Sequence, residues 1–392
     1  MKKLFTLVSA GSLALLSLGA HAQVTVDGTL TAAELATGNS ASYVLLGKFT
    51  NARGFGNAGL LSLYAASTAT KVYVFVGGTV EANGNSFQLY MKTPGSAGVP
   101  RGTALPAGST GTSFAGMTAK MDFPVNAALA LRGSNAATPS TFYVEGASYT
   151  SATAATSANL TTTNFAGDGT AVTVPTNTSY PAFALARVAY RNSPNGGVDQ
   201  NPGNVTPNTS ANYGAAGTFG WEIELDRTAA GLTGAVPLSL FVLQNNGGGD
   251  YLSSDFIPQT SAPVTTNSGN LAGAASVDFT AIPDLQYATV NLSATGGTAL
   301  GNKAAAEAVA LGVFPNPAAD HATVSYRVPA ANTPVHIALL DLMGRTVREV
   351  ESGVKNAGDQ TASLSTASLA GGTYLMRVQV GETVATSKVT LR

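Results

Sequence analysis

From residue 23 to about 291 the apolar residues fall in short runs separated by stretches of Gly, Ser, Thr, Asn and Pro, and none of the runs has helical spacing. The cleanest alternation is Phe219-Gly220-Trp221-Glu222-Ile223-Glu224-Leu225-Asp226. A strand there puts Phe219, Trp221, Ile223 and Leu225 on one face and both glutamates on the other, which reads as solvated. Lys71-Val72-Tyr73-Val74-Phe75-Val76 instead carries bulky β-formers on both faces, as a centrally buried strand does. Phe87-Gln88-Leu89-Tyr90-Met91 follows Glu81-Ala82-Asn83-Gly84-Asn85, whose residues suit a hairpin turn. Further strands are expected at 43–49, 60–65, 142–147, 183–190, 238–243 and 286–292. Polar loops at 93–112, 149–180, 192–217 and 259–275 are longer than compact domains usually carry without a use for them. No fixed-period repeat appears, which argues against a solenoid or propeller. The pattern predicts an all-β protein: a large, jelly-roll-like β-sandwich over 23–292, a polar linker over 293–310, and a small all-β domain over 311–392.

That last domain is the most informative part of the chain. Two prolines bracket Asn316, fixing φ and removing two donors, so this stretch cannot be a central strand and suits a boundary. Tyr374, Met376, Val378 and Val380 share one face of a strand, with Leu375, Arg377 and Gln379 on the other. Gly344, Gly371 and Gly372 sit where turns are expected. About seven short strands in this length predict an immunoglobulin-like sandwich. Several motifs appear in a fixed order: Val313-Phe314-Pro315-Asn316-Pro317, then Asp341 with Gly344-Arg345, then Leu369-Ala370-Gly371-Gly372-Thr373-Tyr374, then Ser387-Lys388-Val389-Thr390-Leu391. This set resembles the type A C-terminal sorting domain with which Gram-negative Bacteroidetes pass cargo through the type IX secretion system. The resemblance implies that Pro315, Asn316, Pro317, Asp341, Gly344, Arg345, Gly372, Tyr374 and Lys388 form the sorting motif, and that the secretion machinery is a partner. It also implies removal of the tail and attachment of the cargo to an outer-membrane lipopolysaccharide.

The other end agrees with export. Lys2 and Lys3 precede an apolar stretch over 4–18, and Ala20 and Ala22 are the small residues a signal peptidase reads before Gln23. Residues 1–22 are therefore expected to be a signal peptide, and no later run is long and apolar enough to span a membrane. The chain has no cysteine, so packed cores rather than disulfides must hold it. The formal net charge is −1, and residues 24–300 carry ten Lys and Arg against fourteen Asp and Glu. Without a cluster of cations, nucleic acid is excluded as an expected partner.

Candidate chemistry is sparse. The three histidines, His21, His321 and His336, lie in the leader or the tail, so residues 24–300 can build neither a Ser-His-Asp triad nor a histidine-ligated zinc site. Gly54-Phe55-Gly56-Asn57-Ala58-Gly59 fits a dinucleotide fingerprint by letter only, because no helix follows. Carboxylates remain. Glu222 and Glu224 sit two residues apart on one strand, whereas glycosidase acids come from different elements around a cleft. Asp250 and Asp255, after a run of Asn and Gly, offer oxygens for calcium, but the spacing is not that of an EF-hand and a plain turn is the simpler reading. No cofactor is expected. Trp221 reads as core. Tyr190, Asn192, Tyr213, Asn246 and Tyr251 read as loop residues suited to polar contacts, and Asn246, Asp250, Tyr251 and Asp255 are taken together as a candidate ligand site.

Val26-Asp27-Gly28-Thr29-Leu30, the strand around Lys71 to Val76, Gly220-Trp221-Glu222-Ile223-Glu224-Leu225 and Asp250-Tyr251-Leu252-Ser253-Ser254-Asp255 are similar to secreted family 9 carbohydrate-binding and DOMON-type β-sandwich modules. Those modules often place a tryptophan where this chain has Ser42-Tyr43. The expectation is a secreted or surface protein reaching the exterior through the periplasm. It would be a non-catalytic module binding glycan or another extracellular polymer, or an envelope or matrix component. A carboxylate-based hydrolase acting on polysaccharide is the alternative.

Overall fold

The computed structural model describes residues 24–36, 41–51, 53–135, 140–259, 270–282, 285–300, 309, 311–328, 331–341, 345–381 and 383–392. The expected cleavage residues Ala20, Ala22 and Gln23, and Gly344 of the sorting motif, lie outside these. The protein is almost entirely β, in several large antiparallel sheets consistent with tandem β-sandwich domains.

The passenger is built on two sheets. One has six strands, in the order Val44–Lys48, Gly59–Ser67, Lys71–Thr79, Gly220–Asp226, Arg187–Tyr190 and Val172–Thr173. The other has ten, with the main path Asn270–Gly273, Tyr251–Ile257, Val236–Asn245, Ser86–Lys92, Ala127–Gly133, Thr141–Ser151 and Ala154–Asn159. Between the sheets, Val74, Val76, Trp221, Ile223 and Leu225 meet Phe87, Leu89, Leu129, Leu131, Leu240 and Val242. Each large side chain withdrawn from water there stabilises the fold by roughly 1.5–3 kcal/mol.

Both outer faces are covered as well. Tyr64, Ala66, Tyr73 and Phe75, on the far side of the six-stranded sheet, pack under Val24, Val26, Leu30 and Tyr43 of the amino-terminal segment. On the far side of the ten-stranded sheet, Tyr90, Ala128, Ala130, Phe241 and Leu243 pack under Val99, Leu105, Phe114, Met117, Met121 and Phe123. The expected loop over 93–112, with the stretch that follows it to Phe123, thus supplies a core layer, and its backbone is held by bonds such as Val99 N to Val125 O at 2.7 Å.

Several expectations change accordingly. The second face of Gly220–Asp226 is dry: Glu222 has no exposed surface and Glu224 only 8%. Residues 81–85 do not close a hairpin, because Lys71–Thr79 and Ser86–Lys92 lie in different sheets and the turn carries the chain between layers. Within 183–190 only Arg187–Tyr190 is strand, after a 3-10 turn at Pro181–Phe183. Ala127–Gly133 was not expected; it is a central strand whose alanines and leucines serve two cores. Thr298–Leu300, inside the expected linker, pairs with Ala288–Leu292 and extends the passenger's sheet.

The tail has seven strands, as its pattern predicts. Gly312–Phe314, His321–Val328 and Gly358–Ser365 form a three-stranded sheet; Thr346–Lys355, Thr333–Leu340, Gly372–Val380 and Thr383–Leu391 form a four-stranded one. Val324, Tyr326 and Val328 of one sheet face Ile337, Leu339, Met376 and Val378 of the other.

Candidate functional site

In the tail the two ends of the sorting motif are sewn together. Pro315 and Pro317 have no N–H to give a ladder, and between them the Asn316 side chain bonds to the partner strand. Asn316 Nδ2 donates to the Lys388 carbonyl at 2.8 Å, and the Thr390 amide donates to Asn316 Oδ1 at 2.9 Å. Ala318 continues the seam: its amide donates to the Thr390 carbonyl at 2.8 Å, and the Arg392 amide donates to the Ala318 carbonyl at 2.9 Å. Lys388 thus contributes its main chain while its side chain is exposed. Asp341 and Arg345 bond to each other, with Arg345 N donating to Asp341 Oδ1 at 3.0 Å and Nε to Oδ2 at 2.7 Å. The Tyr374 hydroxyl donates to the Ala370 carbonyl at 2.9 Å, bracing the turn that contains Gly372. His336 is half-exposed on its strand and sits 3.5 Å from Glu349.

In the passenger the buried acids do comparable fastening. Glu222 Oε2 accepts the amides of Asp27 and Gly28, both at 3.0 Å, and the Tyr43 hydroxyl donates to Oε1 at 2.7 Å. The strand Gly220–Asp226 therefore holds the Val26-Asp27-Gly28 segment through this carboxyl group, in addition to the Gly220 amide donating to the Gly28 carbonyl at 3.0 Å. Gly28 has φ +70°, and a Cβ there would meet the Arg191 nitrogen at 2.5 Å, so glycine is required. Burial pushes the Glu222 carboxyl up to about 8 despite its three donors, and burial beside that carboxyl raises the Tyr43 phenol well above its ordinary value. Glu34, Asp122, Glu145 and Asp255 are likewise buried and accept main-chain amides: Thr25 and Thr31, Gln286, Ser113, and Gly54 with Leu60, respectively. Glu224 pairs with Lys71 and Arg187. Among the described residues no three His, Cys, Asp or Glu side chains gather into a cluster able to hold a metal ion.

The candidate ligand residues separate. Asn246, Asp250 and Tyr251 share one turn, in which Asn246 Nδ2 donates to Asp250 Oδ1 at 2.7 Å and the Tyr251 amide to Asn246 Oδ1 at 3.2 Å. Asp255, further along the strand Tyr251–Ile257, is wholly buried, accepting Gly54 N at 3.0 Å, Leu60 N at 3.1 Å and the Ser253 hydroxyl at 3.0 Å, with Arg53 at 3.6 Å. Burial raises its carboxyl. Tyr190 and Tyr213 are core residues rather than loop contacts: the Tyr190 hydroxyl receives the Val80 amide, and that of Tyr213 receives Arg53 Nη2. Asn192 is half-buried and accepts from the Tyr190 hydroxyl at 3.1 Å. Trp221 is core, as expected. Phe55, which the sequence did not single out, stacks on the exposed Tyr251, with ring centroids 6.3 Å apart and planes 10° from parallel. Its only signal was the pair of glycines on either side.

Residues 312–392 match the family described as the secretion system C-terminal sorting domain, and they form such a type IX domain. No curated protein matches the chain. Among solved structures, dimeric latent PorU from Porphyromonas gingivalis is 14% identical over 83% of this chain and 32% of its own, with a TM-score of 0.18. The chain thus spans about a third of that protein's length. The tetra-tandem repeat in the extending region of a large adhesion protein is 12% identical over 83% of this chain and 96% of its own, also with a TM-score of 0.18. Likenesses that loose carry no argument about the passenger. The sorting domain makes this a secreted or cell-surface protein that travels through the periplasm. Among the described residues no helix is long and apolar enough to cross a membrane.

Proposed function

We propose that residues 24–300 are a non-catalytic contact module, delivered by the tail, that binds glycan or another extracellular polymer or serves in the envelope or matrix. The observation that supports this reading is how the passenger's acids are used. A carboxylate hydrolase needs two acids facing one substrate cleft, one of them free to exchange a proton with it. Five of the passenger's acids, Glu34, Asp122, Glu145, Glu222 and Asp255, instead point inward and hold main-chain amides, which takes them out of such a role. The likeness to family 9 carbohydrate-binding modules favours polysaccharide as the polymer. A glycan array and a reducing-sugar release assay on the full chain separate the alternatives. Retention without sugar release is the expected result; release of reducing ends would replace the module with a hydrolase.

For the tail, the proposed partners are the type IX machinery and, after tail removal, an outer-membrane lipopolysaccharide. A chain lacking residues 311–392 is expected to accumulate in the periplasm, and its normal appearance outside the cell would overturn this. Mass spectrometry of the exported protein reads the second step: a lipopolysaccharide-sized adduct on a chain that has lost the tail is the expected product.

A further inference from the structure

We infer that Phe55 and Tyr251 form a platform on which a pyranose ring of a polysaccharide stacks, an inference that rests on the polymer-binding reading above. Most other aromatic side chains of the passenger are withdrawn from water, and Tyr143, Phe219 and Tyr287 are half-buried. Tyr43, Tyr64, Tyr73, Tyr90, Tyr149, Tyr180, Tyr190 and Tyr213 are all buried, as is Trp221, and Tyr251 is the only aromatic among the exposed large hydrophobics of the passenger's described residues, at 37%. A hydrophobic ring left at the surface and backed by a second, nearly parallel ring adds little to the core, yet presents a flat, electron-rich face. The C–H face of a pyranose carries the complementary weak positive charge, and its hydroxyls need donors and acceptors at the rim.

Those rim groups are present. Asn246 and Asp250, bonded to each other beside Tyr251, offer an amide and an exposed carboxylate. On the Phe55 side, a Cβ at Gly56 would lie 3.5 Å from Glu81 Oε1, and the other oxygen of Glu81 accepts from Asn83 Nδ2 at 2.8 Å. Asp250 and Glu81 make the rim acidic, and the guanidinium of Arg132, beside Gly247, is paired with Glu145, a pattern that fits a neutral sugar better than an anionic one.

The platform is also built in advance of any ligand. Asp255 lies on the same strand as Tyr251 and accepts the amide of Gly54, the residue before Phe55, so one buried carboxylate fixes the backbone that carries both rings. Gly54 cannot bear a side chain, since a Cβ would come within 2.3 Å of Ser253 Oγ. The turn is pinned by the Asn246 amide to the Tyr251 carbonyl at 3.0 Å and by the Gly116 amide to the Gly248 carbonyl at 2.8 Å. Such preorganisation lowers the ordering cost of binding. It gives the glycine-rich stretch over 54–59 a use: it is a seat for Phe55 rather than a phosphate loop.

The test is native affinity electrophoresis of the full chain in gels cast with hydroxyethylcellulose, laminarin, xylan or yeast mannan. The wild-type chain is expected to be retarded by at least one of these, and Phe55→Ala and Tyr251→Ala each to weaken that retardation about tenfold or more, as truncating an anchor does. Tyr251→Trp should restore it, and Leu185→Ala, which removes an exposed apolar side chain outside the platform, should leave it unchanged. Melting temperatures of the variants confirm folding, and Tyr251→Gln serves if the alanine variant does not fold. Retardation undiminished in Phe55→Ala and Tyr251→Ala, or lost equally in Leu185→Ala, overturns the platform while the polymer-binding reading stands. A folded wild-type chain that none of the four polymers retards overturns both the platform and the glycan form of that reading.

Discussion

The passenger and the tail face the same problem and solve it with different chemistry. Each must fasten a stretch of chain that no regular ladder holds: the amino-terminal segment in one, the Pro-Asn-Pro stretch in the other. The passenger uses a buried carboxyl, Glu222, which accepts two main-chain amides and a phenol. The tail uses the neutral amide of Asn316, which both donates and accepts at its partner strand. A carboxyl that accepts several donors makes strong bonds, but withdrawing its charge from water is costly and its proton becomes linked to folding. An amide carries no such linkage. One consequence is that the passenger's stability should depend on pH where the tail's seam does not.

Removing the passenger's fastener outright should have the largest effect. Glu222→Ala strands two buried amides and the Tyr43 hydroxyl, and is expected to cost roughly 3–5 kcal/mol in urea unfolding, with earlier proteolytic release of the amino-terminal segment. Glu222→Gln keeps the shape and an acceptor, so an equal loss from both substitutions would show that the carboxyl does not act as described.

The pH dependence sharpens the contrast. The folded chain holds the Glu222 proton up to about 8 against an ordinary 4.5, so the folded state binds more protons than the unfolded one across that window. Stability from this group is therefore full below about 4.5 and is lost as pH rises through 8. Asp255, also raised, contributes with the same sign. Urea titrations from pH 4.5 to 8 should show stability falling by several kcal/mol in the wild-type chain, and by clearly less in Glu222→Gln with Asp255→Asn.

A smaller effect is expected from Asn316→Asp. It keeps the acceptor for Thr390 but turns an oxygen toward the Lys388 carbonyl, costing about 1–3 kcal/mol, read as faster proteolysis of the tail with the passenger intact. Arg345→Ala should change least. It breaks an ion pair whose arginine side chain is 80% exposed, worth about 0.5 kcal/mol or less, so urea unfolding of the tail should barely shift.

The same contrast explains how much could be read from the chain. In the tail each sheet has one buried face, so alternation translates directly into inside and outside: Val324, Tyr326 and Val328 turn inward, and Met376 and Val378 meet them, as the period-2 pattern predicts. In the passenger both faces of both sheets are covered, so alternation distinguishes two faces without saying that either is wet. Glu222 and Glu224 read as solvated for that reason, and Ala127–Gly133, rich in alanine, escaped notice because its neighbours rather than its β-propensity make it a strand. The candidate ligand group was partly legible. Asn246, Asp250 and Tyr251 are local to one turn, whereas Asp255 and Phe55 took their roles from a contact about 200 residues apart in sequence, Gly54 with Asp255.

The sequence by itself determined the destination and the class: an ordered set of Pro-Asn-Pro, Gly-Arg and terminal-strand motifs marks the sorting domain, and short alternating runs mark a β protein. Such signals are local, carried by residues close enough along the chain to constrain one another's φ, ψ and facing. Only the tertiary structure decided which acids are fasteners and which aromatic faces water. Burial is a property of what comes to lie on top, and here the covering layers arrive from the amino-terminal segment and from a stretch that reads as a loop. No local pattern encodes that meeting, so the chemistry of Glu222, Asp255 and the Phe55–Tyr251 pair became visible only once the layers were in place.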